Sequence, residues 1–241
     1  MVKSKSDIIH ALKEQILPLE TFKTANSFQP DIGLGPLKSA FPKHHFPLGV
    51  IHEFIYASPE NAAATGGFVS GLVGALMKNS GAAIWINNGH KIFPPALAAF
   101  GIAVEKMIFI RLKNQKESLW VMEEALKCDA LSAVVGEIPE LSFTNSRRLQ
   151  LAVEKSKVTG FVLRNNPRSE NVTACTTRWK ISALPGQPVA MPGVGFPQWN
   201  VDLLKVRNGR PGKWEVEFYN GRFRTISKVA AILHPQKVKA G

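Results

Sequence analysis

Between Tyr56 and Phe68 the chain reads Ala57-Ser58-Pro59-Glu60-Asn61-Ala62-Ala63-Ala64-Thr65-Gly66-Gly67. This stretch falls where a strand gives way to a helix, the place where a phosphate-cradling loop would sit. Such a loop needs glycines for close backbone approach, a Lys for the β/γ-phosphates and a Ser or Thr for magnesium. No Lys or Arg occurs between Lys43 and Lys78, and Glu60 would repel a triphosphate. Gly66-Gly67 is expected as a turn at the helix N-terminus, where backbone N–H groups favour at most a small anion. Glu137 follows the run LSAVVG, a strand end where a metal-associated acid is common. Without a Lys partner it reads as structural or solvated. No nucleotide, cofactor or catalytic residue is assigned, and no ATP hydrolysis is expected.

The other reactive side chains are sparse. Six histidines and two cysteines show no zinc spacing, and His44-His45 read as loop residues. No nucleophile signature of the GxSxG type occurs. Cys128 and Cys175 lie far apart and outside any CxxC, which fits a reduced cytosolic protein, although sequence alone leaves a disulfide between them open. No apolar run approaches a membrane span, and the N-terminus lacks the apolar core of a signal peptide.

Charge is the stronger signal. The net charge is +12, an excess that suits DNA, RNA, an acidic partner surface, or merely a basic exterior. From Val201 onward nine basic residues stand against three acids, and these include Lys205, Arg207, Arg210 and Lys213. A second basic stretch holds Arg164, Arg168, Arg178 and Lys180. Together these eight residues are the candidate phosphate contacts.

The elements that must position them follow from the apolar pattern. Asp7 can cap a helix to about Leu17, with Ile8, Ile9, Leu12 and Ile16 along one side. A Pro/Gly/Lys-rich tether follows, from 20 to 47. Strands are expected at 50–56, 82–87, 107–111, 131–136 and 159–164. Helices are expected at 67–78, near 95–100, at 117–127 and from a Thr144 or Asn145 cap to about 157. Strand–helix alternation of this kind implies βαβ units and a mainly parallel sheet covered on both faces. Strands at 177–184, 199–207, 214–219 and 222–226 then follow without helices. Asn208-Gly209 and Asn220-Gly221 supply hairpin turns. The chain divides into an N-terminal helix and tether (1–30), an α/β domain (31–226) and a basic tail (227–241).

Pro47-Leu48-Gly49-Val50-Ile51-His52-Glu53-Phe54 resembles the segment leading into the RecA ATP site, and Gly33–Phe41 (GLGPLKSAF) resembles the stretch just upstream. PPALAAFGI (94–102), SLWVMEEALK (118–127), RRLQLA (147–152) and GFVLR (160–164) resemble the ImuA family, which is related to RecA and to the division inhibitor SulA. The likeness runs from about Asp31 to Tyr219. It implies a RecA-like three-layer core with a mainly parallel central sheet, an antiparallel C-terminal extension and a degenerate P-loop.

It also implies a noncatalytic accessory role in SOS mutagenesis and translesion synthesis, beside RecA, DNA and an ImuB-type partner. Such a protein would be cytoplasmic and nucleoid-associated. The acid that activates water in RecA has no counterpart near Asn87-Asn88-Gly89-His90. Phe22-Lys23-Thr24-Ala25 resembles the Phe-x-x-Ala anchor of recombinases, which adds Phe22 and Ala25 to Ile8, Ile9, Leu12 and Ile16 as partner-binding candidates. A SulA-like inhibitor of a division polymer is the alternative, and it would need no DNA affinity.

Overall fold

In the computed structural model the described residues are 31–78, 81–88, 93–185 and 195–226. Strand β1 (Ile51–Tyr56) passes through Ala57 and Ser58 directly into helix α1 (Pro59–Met77). Ser58 Oγ accepts the Asn61 N–H at 3.2 Å, Pro59 fills the first helical position, and Glu60 follows in the first turn. Each choice suits a helix start: the cap satisfies an orphan donor, proline has no N–H to lose, and an acid favours the positive end of the dipole. The helix therefore begins well before Gly67. Gly66-Gly67 lies inside α1 and not at its N-terminus, a correction to the expected turn.

Strands β2 (Ala82–Asn87), β3 (Met107–Arg111), β4 (Leu131–Glu137) and β5 (Thr159–Asn165) alternate with helices α2 (Pro94–Ala98), α3 (Gln115–Leu126) and α4 (Phe143–Ser156). The cap of α4 is Ser142, whose Oγ accepts the Asn145 N–H at 3.1 Å, so Thr144 and Asn145 are already helical. Strands β6 (Thr177–Ala183), β7 (Gln198–Val206), β8 (Gly212–Tyr219) and β9 (Arg222–Thr225) complete the element order. The nine strands of the described residues form one sheet in the order β3-β2-β4-β5-β1-β6-β7-β8-β9. β1 to β6 pair in parallel, whereas β7, β8 and β9 add antiparallel strands at one side. At Asn220-Gly221 both φ angles are positive, 47° and 72°, as a tight turn joining paired Tyr219 and Arg222 requires.

Apolar residues fill both faces. Phe54, Trp179, Trp199 and Phe223 pack with Phe68 of α1 on one side. Ile51, Val134 and Val162 pack with Met122 of α3 and Leu149 and Val153 of α4 on the other. Gly74 lets α1 approach its neighbours, because a Cβ there would collide with the carbonyl oxygen of Phe100. The outer edge of β9 is closed by the segment ahead of β1. Phe223 N–H donates to the Gly33 carbonyl at 2.8 Å, and Gly35, at φ 52°, has no room for a Cβ against the Phe223 carbonyl oxygen. Covering an edge in this way protects it from pairing with another chain.

Candidate functional site

The strands β5 and β6 flank β1 and run parallel to it, so the chain must cross over β1 between them. No helix makes this crossing. The segment after Asn165 is irregular up to Thr177, and its carbonyls need donors that a helix would have supplied internally. Arg164 and Arg178 provide them. Arg164 donates to the Ser169 carbonyl at 3.3 Å, to Asn171 Oδ1 at 3.0 Å and to the Pro139 carbonyl at 3.1 Å. Arg178 donates to the carbonyls of Glu170 and Asn171. Lys205 donates to the Thr173 carbonyl at 2.8 Å, and burial lowers its pKa.

Glu53 is the counter-ion that makes this arrangement possible. One carboxylate oxygen takes Arg164 Nη1 at 2.6 Å; the other takes Arg178 Nε at 2.9 Å and the Thr173 hydroxyl at 2.8 Å. The side chains of Glu53 and Arg164 have no solvent exposure. Arg164 therefore has no face to offer a phosphate, which corrects its place among the expected DNA contacts. Arg178 and Lys205 turn their donors into the same cluster. Glu53, Asn171 and Thr173, the partners that consume these cations, were not singled out by sequence. The one signal for Glu53 is an acid in the middle of a strand that is apolar apart from the neighbouring His52.

On the opposite face of β1, His52 lies between the rings of Phe46 and Phe161, at centroid distances of 4.3 and 5.5 Å. Its Nε2 is 3.0 Å from the Pro47 carbonyl, which can only accept, so Nε2 carries the proton. Nδ1 is 2.7 Å from the Thr177 hydroxyl and accepts from it. Trp179 Nε1 in turn donates to Thr177 Oγ1 at 2.6 Å. This closed chain of donors suits a neutral imidazole, and burial pushes the pKa of His52 down to about 3. It is a structural histidine.

The carboxyl ends of the parallel strands are where open α/β sheets most often place a ligand. Here Glu137 Oε2 accepts the Asn88 N–H at 3.2 Å, tying the end of β4 to the residue after β2. Burial and the neighbouring Glu137 raise the pKa of the Tyr56 phenol. The two-residue link Ala57-Ser58 leaves no loop between β1 and α1 to wrap a phosphate chain. No group of His, Cys, Asp or Glu suited to a metal occurs among the described residues. Cys128 and Cys175 are both free thiols. No helix among the described residues is long and apolar enough to cross a membrane.

The exposed cations form a different population. The Arg168 side chain is 92% exposed, near Glu140 at the carboxyl end of the sheet. Arg207 and Arg210 lie at the other end. Val206 is paired with Thr177, the first residue of β6, and Arg210 N–H donates to the Ala40 carbonyl. The length of β1 separates the two ends, about 20 Å at roughly 3.3 Å per residue. Lys180 and Lys213 sit on the outer face of β6 and β8, on either side of Asp202 in β7. Lys213 pairs with Asp202 at 3.2 Å and remains 75% exposed. Arg207, Arg210 and Lys213 thus share the antiparallel extension and Lys180 lies beside it on β6, while Arg168 stands apart from them. His90, the partner candidates Ile8, Ile9, Leu12, Ile16, Phe22 and Ala25, and the basic tail lie outside the described residues.

Protein ImuA of Caulobacter vibrioides (strain NA1000 / CB15N) is 32% identical over 212 residues, covering 80% of this chain and 87% of its own. The chain belongs to the ImuA family. Within this ImuA-family chain, residues 49–160 match the family model described as cell division inhibitor SulA. The SulA protein of Yersinia pestis (strain Pestoides F) is 31% identical over 116 residues, 48% of this chain and 68% of its own. A crystal structure of SulA from Pseudomonas aeruginosa superposes with a TM-score of 0.42 at 16% identity, over 50% of this chain and 100% of its own.

Proposed function

We propose that this ImuA-family chain is a noncatalytic accessory protein of damage-induced mutagenesis, joining RecA, DNA and an ImuB-type partner. Family membership across most of the chain is the observation that carries the reading. The two-residue β1–α1 link supports its noncatalytic side. A bound triphosphate is held by backbone donors and a Lys, and neither a loop nor a cation stands at that position. The phosphate loop is best understood as lost, its place taken by a directly capped helix. DNA contact is assigned to Arg207, Arg210 and Lys213 on the antiparallel extension and to Lys180 on the adjoining β6, with Arg168 as a separate contact. The partner segment is assigned to residues 1–30, and the working location is the nucleoid.

The SulA match over residues 49–160 supports a second reading, a division inhibitor built on the parallel half of the sheet. Affinity purification of the tagged chain after DNA damage separates the two. Recovery of RecA and an ImuB-type protein is the expected result; recovery of a division polymer alone would replace it with the second reading. Purified protein should also release no phosphate from ATP with or without single-stranded DNA. Turnover abolished by Glu137→Ala would overturn the noncatalytic assignment.

A further inference from the structure

Helices α3 and α4 bury one face each against the sheet and leave a groove between their outward faces. Its lining is Glu123, Lys127, Arg148, Leu151, Ala152 and Lys155. Leu151 is 48% exposed, and Trp120, on the same face of α3 as Lys127 seven residues later, is 62% exposed. Leu151 lies in the groove itself, and exposed apolar side chains in a groove rimmed by charged residues mark interaction surfaces when they form part of a larger patch. Trp and Arg are also the residues in which binding energy concentrates.

The charges around these anchors are unequal. Three cations line the groove and one acid, Glu123, whose carboxylate is already taken by Arg148 at 2.6 Å and Lys127 at 3.6 Å. Lys127 also meets Glu124 at 2.7 Å, a pairing that raises its pKa. Lys155 stands one turn beyond Leu151 on the outward stripe of α4, which also holds Arg148.

We propose that the α3–α4 groove docks an acidic peptide segment of another protein, anchored by one apolar side chain against Leu151 in the groove and a second against Trp120 on the α3 face that also carries Lys127. With Glu123 and Glu124 taken up by Arg148 and Lys127, Lys155 carries the remaining positive charge, which favours an acidic segment, and the aliphatic Leu151 and the acid Glu123 suit a peptide better than stacked bases. A second copy of this chain carries +12 and is repelled. The inference rests on the adaptor reading for the existence of a partner. It lies apart from the cations assigned to DNA, so the two can fail separately.

The test uses fluorescein-labelled synthetic helical peptides with Leu and Phe one turn apart and Glu at the remaining exposed positions, beside a matched series carrying Lys. Anisotropy with the full chain should show binding of the Glu series and not the Lys series. Trp120→Ala and Leu151→Ala should each weaken it about tenfold or more. The double variant Arg148→Glu/Lys155→Glu should lose the Glu series and gain the Lys series. Lys213→Ala should leave peptide binding unchanged, and circular dichroism melts verify that the variants fold. Absence of Glu-peptide binding, or equal binding by the charge-reversed variant, would overturn the proposal. So would self-association that Trp120→Ala abolishes, which assigns the groove to a second copy, or loss of oligonucleotide affinity in that variant, which assigns it to nucleic acid.

Discussion

Arg164 and Arg178 on one hand, and Arg207, Arg210 and Lys213 on the other, look alike in the sequence, yet the molecule uses them differently. The first pair lies where a crossover without a helix presses onto β1, and its guanidiniums are consumed by Glu53 and by the carbonyls of residues 169–171. The second group lies where antiparallel strands and a hairpin face solvent, and Lys213 stays exposed even while paired. The difference teaches that a basic stretch counts as a binding surface only after the backbone's own demand for donors has been met.

The largest effect expected from this contrast is on stability. Glu53→Ala removes the carboxylate that bridges Arg164 and Arg178 and leaves a fully buried guanidinium with Glu140, 4.0 Å away, as its remaining acidic neighbour among the described residues. Losing one partner of a buried pair costs on the order of 3–5 kcal/mol, so urea denaturation should show an unfolding free energy lowered by that amount or outright failure to fold. A variant as stable as the parent would mean that the cluster holds nothing together.

How much of this was legible in the sequence depends on range. The switch from alternating helices to consecutive strands was readable, because hydrophobic period and the Asn-Gly turns are local signals. The helix start at Ser58-Pro59-Glu60 is equally local, because the Ser58 cap and the proline at the first helical position outrank the glycine pair as a start signal. The fate of the arginines was not readable. Glu53 meets Arg164 and Arg178 across 111 and 125 residues of chain, and that meeting depends on strand order and register, which no local pattern encodes. Two residue spacings with the same charge therefore led to opposite outcomes.

A second, intermediate effect sharpens the buried side of the comparison. His52 has a folded-state pKa of about 3, against about 6.5 in the unfolded chain. Its folded pKa is depressed, so its contribution is complete above the unfolded value and declines as pH falls from there toward 3. Over that window the unfolded state binds one more proton, which costs about 1.4 kcal/mol per pH unit. Thermal melts between pH 7 and 4 should show this slope, and His52→Gln should reduce it by about one proton. An unchanged slope in the variant would place the acid sensitivity elsewhere.

The smallest stability effect belongs to the exposed cations. Replacing Arg207, Arg210 and Lys213 together with Ala should move the unfolding free energy by no more than about 0.5 kcal/mol per site, as is usual for surface positions. A loss of several kcal/mol would show that these residues also brace the fold and would erase the contrast with Arg164 and Arg178.

The most direct measurement is the salt dependence of single-stranded DNA affinity for the parent and for the Arg207→Ala/Arg210→Ala/Lys213→Ala variant. Each phosphate contact contributes a slope of about 0.7 log units in affinity per log unit of salt. The account predicts sequence-independent binding by the parent that weakens steeply with salt, and a weaker variant with a flatter slope. A parent that fails to bind at low salt, or a variant with the parent's affinity and slope, would contradict it and leave the basic extension to an acidic protein partner.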